Sequence, residues 1–142
     1  VHTAVQTSGF CSEPTFENIL AAADYFLFDL KLADEKEHIR YTGVSNKLIR
    51  KNFKRLAASG KSFVTRIPLI PGVTDTEHNI EAIAEFMNKN GVFYAELMPY
   101  NKMAGGKYKA IGMEYRPDFD PTAEVKIRKD IFKNHNIEIT IL

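Results

Sequence analysis

Short apolar runs alternate with helical patterns along the whole chain, and that alternation constrains the fold more than any other feature. Strand-like runs fall at 1–7, 25–32, 63–70 and 91–98, with a last one at 136–142. Helical patterns fill most of the gaps. One spans 13–23 with Pro14 in its first turn, and a second is capped by Ser45 and ends near Gly60. A third spans 76–90 and stops at Gly91, and a fourth opens at Pro121 and runs towards Asn134. Strand, helix, strand at this spacing makes βαβ units, which means parallel strands with helical cover and an α/β class.

The 142 residues are expected to form one domain over 1–142, since a chain of this size buries about 68–70% of its unfolded surface. Hydrophobic residues at 44% and charged residues at 26% argue against disorder and against a fibrous repeat. A net charge of +1 gives no broad attraction for nucleic acid or an anionic membrane, so neither is expected as a partner. No apolar run approaches the roughly 20 residues that span a bilayer. One cysteine, Cys11, rules out an internal disulfide and a cysteine-built metal site from this chain alone, and a reducing cytoplasm is the expected compartment. The first strand begins at the first residue, and four or five strands are too few for an eight-stranded barrel of about 250 residues. The chain is therefore expected to be part of something longer.

Polar residues at strand ends mark the candidate site. In Asp24-Tyr25-Phe26-Leu27-Phe28-Asp29-Leu30-Lys31, the two-residue period puts Asp29 and Lys31 on one face at the C-terminal end, where α/β sheets bind ligands. They read either as an ion pair at the rim or as a ligand-binding pair. Arg66 sits mid-strand among apolar neighbours, where a guanidinium needs an anion; pairing with Asp29 and binding a ligand carboxylate or phosphate are both open. Asn101, just past the fourth strand, suits a ribose or base edge, or an Asx-turn. Gln6 and Thr7 end the first strand as possible rim ligands, and Ser8-Gly9 makes the turn. Asp75 and Thr76 read as caps, and Cys11 as a small loop hydrophobe. His2, His38, His78 and His135 share no metal spacing and read as surface or cap residues. Lys47, Arg50, Lys51, Lys54 and Arg55 form the outer face of a helix whose apolar stripe is Ile49, Phe53 and Leu56. No familiar phosphate loop or hydrolase signature occurs, and Gly105-Gly106-Lys107 reads as a turn.

The same residues carry a resemblance. Asp29-Leu30-Lys31, Tyr41-Thr42-Gly43-Val44-Ser45-Asn46, the run from Arg66 to Asp75, and Met98-Pro99-Tyr100-Asn101 occur in this order. Together they resemble the C-terminal half of the glycyl-radical enzyme activating enzymes, of the pyruvate formate-lyase activating type, from Gln6 to about Tyr115. Lys107-Tyr108 and Gly112-Met113-Glu114-Tyr115 are similar to the family's tail. The resemblance implies the C-terminal part of a partial TIM-like radical S-adenosylmethionine barrel. It implies an oxidoreductase in which a 4Fe-4S cluster reductively cleaves S-adenosylmethionine, giving a radical that abstracts hydrogen from a glycine of the partner. The implied partners are a glycyl-radical enzyme such as a pyruvate formate-lyase and an electron donor such as flavodoxin or ferredoxin.

By that resemblance Asp29 and Lys31 hold the methionine and ribose portions of S-adenosylmethionine, Arg66 lies beside them, and Asn101 falls near the adenosine. Thr7 matches a monovalent-cation site that would also involve Asp29, but Gln6 stands where the family has Asp. The family's C-x3-C-x2-C loop and Gly-rich strand end do not occur here, so the chain alone is expected to be inactive and to hold neither cofactor tightly. Two other readings stay open at this point: a Schiff-base aldolase with Lys31 as nucleophile, and a non-catalytic module that docks through the 47–55 basic face.

Overall fold

The computed structural model describes residues 1–142 apart from 104, 105, 107 and 109, so the turn expected at Gly105-Gly106-Lys107 and the Lys107-Tyr108 resemblance lie partly outside the described residues. Five strands, β1 (Ala4–Thr7), β2 (Tyr25–Asp29), β3 (Ser62–Leu69), β4 (Tyr94–Pro99) and β5 (Glu138–Ile141), pair in chain order, every pair parallel. Among the described residues the connecting helices are α1 (Glu13–Ala22), α2 (Glu35–Thr42), α3 (Lys47–Ala58), α4 (Glu77–Lys89) and α5 (Lys129–Asn134). None of them is long and apolar enough to cross a membrane.

Alternation along the strands divides the sheet. Phe26, Phe28, Ile67, Ala95 and Leu97 turn to the face that the helices cover and are buried there with Phe16, Phe53, Leu56 and Met87. The ring of Phe53 meets Phe28 edge-on at 5.4 Å and lies 5.2 Å from Phe86, which ties α3 to the sheet and to α4. The opposite face carries Leu27, Asp29, Arg66 and Glu96 and is only partly covered.

Local chemistry sets the helix ends. Ser12 caps α1 by accepting from the Thr15 backbone N–H, and Thr76 caps α4 by accepting from Asn79 N–H at 3.3 Å. The expected Ser45 cap is displaced by one residue: Asn46 holds the N-cap position of α3, while Ser45 Oγ accepts from Lys47 N–H at 3.2 Å. Asn46 makes no side-chain capping bond, and its Nδ2 donates elsewhere, as described below. The helix expected from Pro121 is also corrected, since only Lys129–Asn134 is helical. Residues 121–128 before it form no helix, and the Lys126 N–H donates instead to the buried Asp75 Oδ2 at 2.9 Å. The helix α2 was not expected at all, having a single buried residue, His38.

The turn after β1 requires glycine. Gly9 has φ +70°, and a Cβ there would lie 2.4 Å from the Phe28 ring, while Asn52 Nδ2 reaches over from α3 to donate to the Gly9 carbonyl at 2.8 Å. Gly9→Ala is expected to destabilise the chain by about 2–4 kcal/mol through backbone strain and overpacking, read as a lowered urea midpoint with an unchanged slope. A midpoint equal to the parent's would show that the turn tolerates a side chain.

Candidate functional site

Cross-strand register assembles the site. Asp29 on β2 lies opposite Arg66 on β3, and Arg66 lies opposite Glu96 on β4, so three charged residues occupy one row of the less covered face. Lys31 Nζ donates to Asp29 Oδ2 at 3.1 Å, the ion pair that the two-residue period anticipates. Arg66 does not pair with Asp29, which corrects the simpler of the two readings: its Nε donates to Glu96 Oε2 at 2.8 Å. Glu96 gave no signal in the sequence, because its role rests on the β3–β4 register. Asp29 Oδ1 is buried and has no hydrogen-bond partner among the described residues. A buried carboxylate oxygen without a donor is costly, and it shares that state with Asn52 Oδ1 and Thr65 Oγ1 on the helix-covered side.

The loop that carries Lys31 is held on both sides by buried amides. Asn79, near the start of α4, donates to the Lys31 carbonyl at 2.9 Å and the Thr74 carbonyl at 2.8 Å, and accepts from Ala33 N–H at 2.8 Å. Asn46 donates to the Leu32 and Ala33 carbonyls at 3.0 and 2.9 Å. The corner that leads to Asn46 is stiffened by His38, whose Nδ1 lies 2.7 Å from the Val44 carbonyl. His38 is thus a buried structural residue, 3% exposed, and the surface or cap role expected for it is corrected. On the β3 side, Thr74 Oγ1 accepts from Ile70 N–H and donates to the Pro68 carbonyl, each at 2.6 Å, and Asp75 Oδ1 accepts from Gly72 N–H at 2.7 Å.

Above these loops opens a cleft of about 720 Å³, within the range of small-molecule pockets, lined among others by Lys31, Pro68, Ile70, Tyr100, Tyr115 and Phe119. The hydroxyls of Tyr100 and Tyr115 are 2.6 Å apart, and Phe119 meets Tyr100 edge-on at 5.2 Å. Desolvation first, and then its bond to Tyr100, push the Tyr115 phenol up to about 12.

Two of the expected residues lie apart from this gathering. Asn101 is exposed, and its Oδ1 accepts from Met103 N–H at 2.9 Å, the Asx-turn alternative. Thr7 is in register with the buried Phe28, on the face opposite Asp29, and its Oγ1 accepts from Gly9 N–H at 2.9 Å. Gln6 instead shares the row of Leu27 on the site face. Cys11 is half-buried, and burial pushes its thiol up, as suits a loop hydrophobe. Among the described residues no group of three or more His, Cys, Asp or Glu is arranged to hold a metal. Much of the basic face of α3 is already engaged: Arg55 pairs with Glu13 and Glu17, Lys51 with Glu13, and Lys47 with Glu35.

Lys31 links the two features, since it pairs with Asp29 and also lines the cleft, at the strand C-terminal ends where α/β sheets and barrels bind ligands. No protein-family model matches the chain. Its relatives are glycyl-radical enzyme activating enzymes. The chain is 37% identical over 134 residues to the trans-4-hydroxy-L-proline dehydratase activating enzyme of Clostridioides difficile, covering 89% of this chain and 44% of that protein. It is 39% identical over 116 residues to the isethionate sulfite-lyase activating enzyme of Nitratidesulfovibrio vulgaris, covering 80% and 38%. The chain therefore spans less than half the length of these curated relatives. Among solved structures, a domain of a pyruvate-formate lyase-activating enzyme from Bacteroides vulgatus superposes with a TM-score of 0.75 at 27% identity, over all of this chain and 81% of that one. The fold is that of a radical S-adenosylmethionine activating enzyme fragment.

Removing the Asn79 amide deletes three hydrogen bonds, two to the Lys31–Ala33 segment and one to the Thr74 carbonyl. Asn79→Ala is expected to cost about 2–4 kcal/mol in stability and to speed amide exchange at Ala33. Unchanged exchange at Ala33 would show that the clamp is not formed. In an absorbance titration near 295 nm, at least one tyrosine should stay protonated well above pH 10, and Tyr100→Phe should lower that midpoint. Uniform titration near pH 10 would contradict the hydrogen-bonded pair.

Proposed function

We propose that this chain supplies the S-adenosylmethionine-binding part of a radical S-adenosylmethionine activase, an oxidoreductase whose protein substrate is a glycyl-radical enzyme. The observation that carries the reading is the Asp29–Lys31 ion pair, with Asp29 Oδ1 left without a partner and Arg66 in register on the next strand, in a chain whose relatives are activases.

The donor set suits the ligand. S-adenosylmethionine carries an ammonium, a carboxylate, ribose hydroxyls and a sulfonium, so it needs both a cation and an acceptor close together. Lys31 Nζ offers donors to the carboxylate or ribose end, Asp29 Oδ1 accepts from a ligand N–H or O–H, and Arg66 adds a second cation. Asn101 lies just past β4; its Oδ1 serves the Asx-turn, and its Nδ2 is the group it would offer to the adenosine. Thr7, facing away from Asp29, offers no side-chain oxygen to a shared cation.

When bound, S-adenosylmethionine supplies a sulfonium whose reductive cleavage is the source of radical chemistry in enzymes of this type. The residues of this chain bind and orient it, with Pro68, Ile70, Tyr100 and Tyr115 among the walls of the cleft. A 4Fe-4S cluster does not fit the residues present, since it takes several thiolates and Cys11 is the one cysteine here. The cluster, electrons from a donor such as flavodoxin or ferredoxin, and the choice of glycyl-radical enzyme, pyruvate formate-lyase included, therefore depend on groups outside this chain. The chain by itself should bind the ligand weakly and carry out no radical reaction.

The test is an NMR titration of the chain with S-adenosylmethionine. Shifts are expected at Leu27–Ala33 and around Arg66, and both Asp29→Asn and Lys31→Met should weaken the interaction by about tenfold or more. No shifts at these residues, or variants that respond like the parent, would refute the reading.

A further inference from the structure

Arg66 stands in register between two carboxylates, Asp29 and Glu96, and takes one of them. Asp29 and Glu96 are its register partners on the strands to either side, and neighbouring strands lie about 4.8 Å apart, so both carboxylates are within reach of a long guanidinium side chain. The structure shows the choice made: Nε donates to Glu96 Oε2 at 2.8 Å, while Asp29 holds Lys31 and keeps Oδ1 bare. Arg66 and Glu96 have side chains 20% and 19% exposed, so water competes poorly and a guanidinium in this row will seek a carboxylate. Among the described residues, the other carboxylate of the row is Asp29.

We propose that Glu96 is a positioning residue that holds the Arg66 guanidinium away from Asp29 and so keeps the Asp29 carboxylate free for the ligand. Without Glu96, Arg66 turns to Asp29 and satisfies Oδ1, and the buried acceptor that calls for a ligand donor is quenched from within. Glu96 touches no ligand in this arrangement and acts through Arg66. The ligand half of the inference rests on the S-adenosylmethionine reading above, whereas the partner choice of Arg66 does not.

Two variants test it, Glu96→Leu, which offers no acceptor, and Glu96→Gln, which still accepts from Nε. Crystal structures of both chains and NMR titrations with S-adenosylmethionine give separate readouts. The inference predicts that Arg66 of the leucine variant sits on Asp29 within hydrogen-bond distance and that binding weakens about tenfold or more, whereas the glutamine variant keeps the parent geometry and stays within about twofold. If leucine packs too poorly to fold, Glu96→Ala replaces it with the same expectations. A variant without the acceptor in which Arg66 stays off Asp29 overturns the inference, and so does an Arg66 that moves without any loss of binding. Equal weakening by glutamine and leucine also overturns it, since that is what simple loss of negative charge would give. Should the parent chain bind no S-adenosylmethionine, the functional reading falls and takes the ligand half with it, while the position of Arg66 in the variant still decides the role of Glu96.

Discussion

The parallel register of β2, β3 and β4 is the constraint on which the site depends. It sets Asp29, Arg66 and Glu96 side by side on the face that the helices leave open, with the core-facing residues of the same strands one position away. A slip of one residue in either pairing would turn these charges into the aromatic core around Phe28 and Phe53. The cost of burying a charge there makes the observed register strongly preferred, so the core and the site specify each other.

The loops at the strand ends are built to hold position. Buried amides of Asn46 and Asn79 replace the hydrogen bonds that the backbone loses where β2 stops, and Thr74 and Asp75 do the same where β3 stops. Because Asn79 bonds to both exits, the segment bearing Lys31 and the segment beginning at Pro71 cannot shift independently. Asp75 extends the system by taking the Lys126 N–H, and its carbonyl accepts from Arg128 Nε at 2.8 Å, which pins the chain that leaves the cleft. Preorganisation of this kind lowers the ordering cost of binding a flexible ligand.

Strand positions and the pairing of Asp29 with Lys31 were legible because both follow from a two-residue period within one segment. What could not be read was what depends on two segments meeting. Glu96 looks like any polar residue in an alternating strand until β4 lies beside β3, and Asn79 looks like an ordinary first-turn residue until Lys31 and Thr74 converge on it. The helix α2 escaped notice because its sequence, Glu35 to Thr42, buries only His38 and so shows little apolar stripe. Pro121 misled in the opposite sense: proline is a good helix starter, but the backbone that follows it donates to a distant partner, Asp75, at Lys126, which the local sequence does not show.

The functional account has this chain providing ligand-binding residues while the cluster thiolates come from elsewhere in the same protein, in keeping with relatives more than twice as long as the matched region. The most direct measurement is the DNA sequence upstream of the Val1 codon, translated in frame. The account predicts a C-x3-C-x2-C loop followed by a Gly-rich strand end, completing the barrel on the β1 side. A start codon with no such cysteines before Val1 would contradict it.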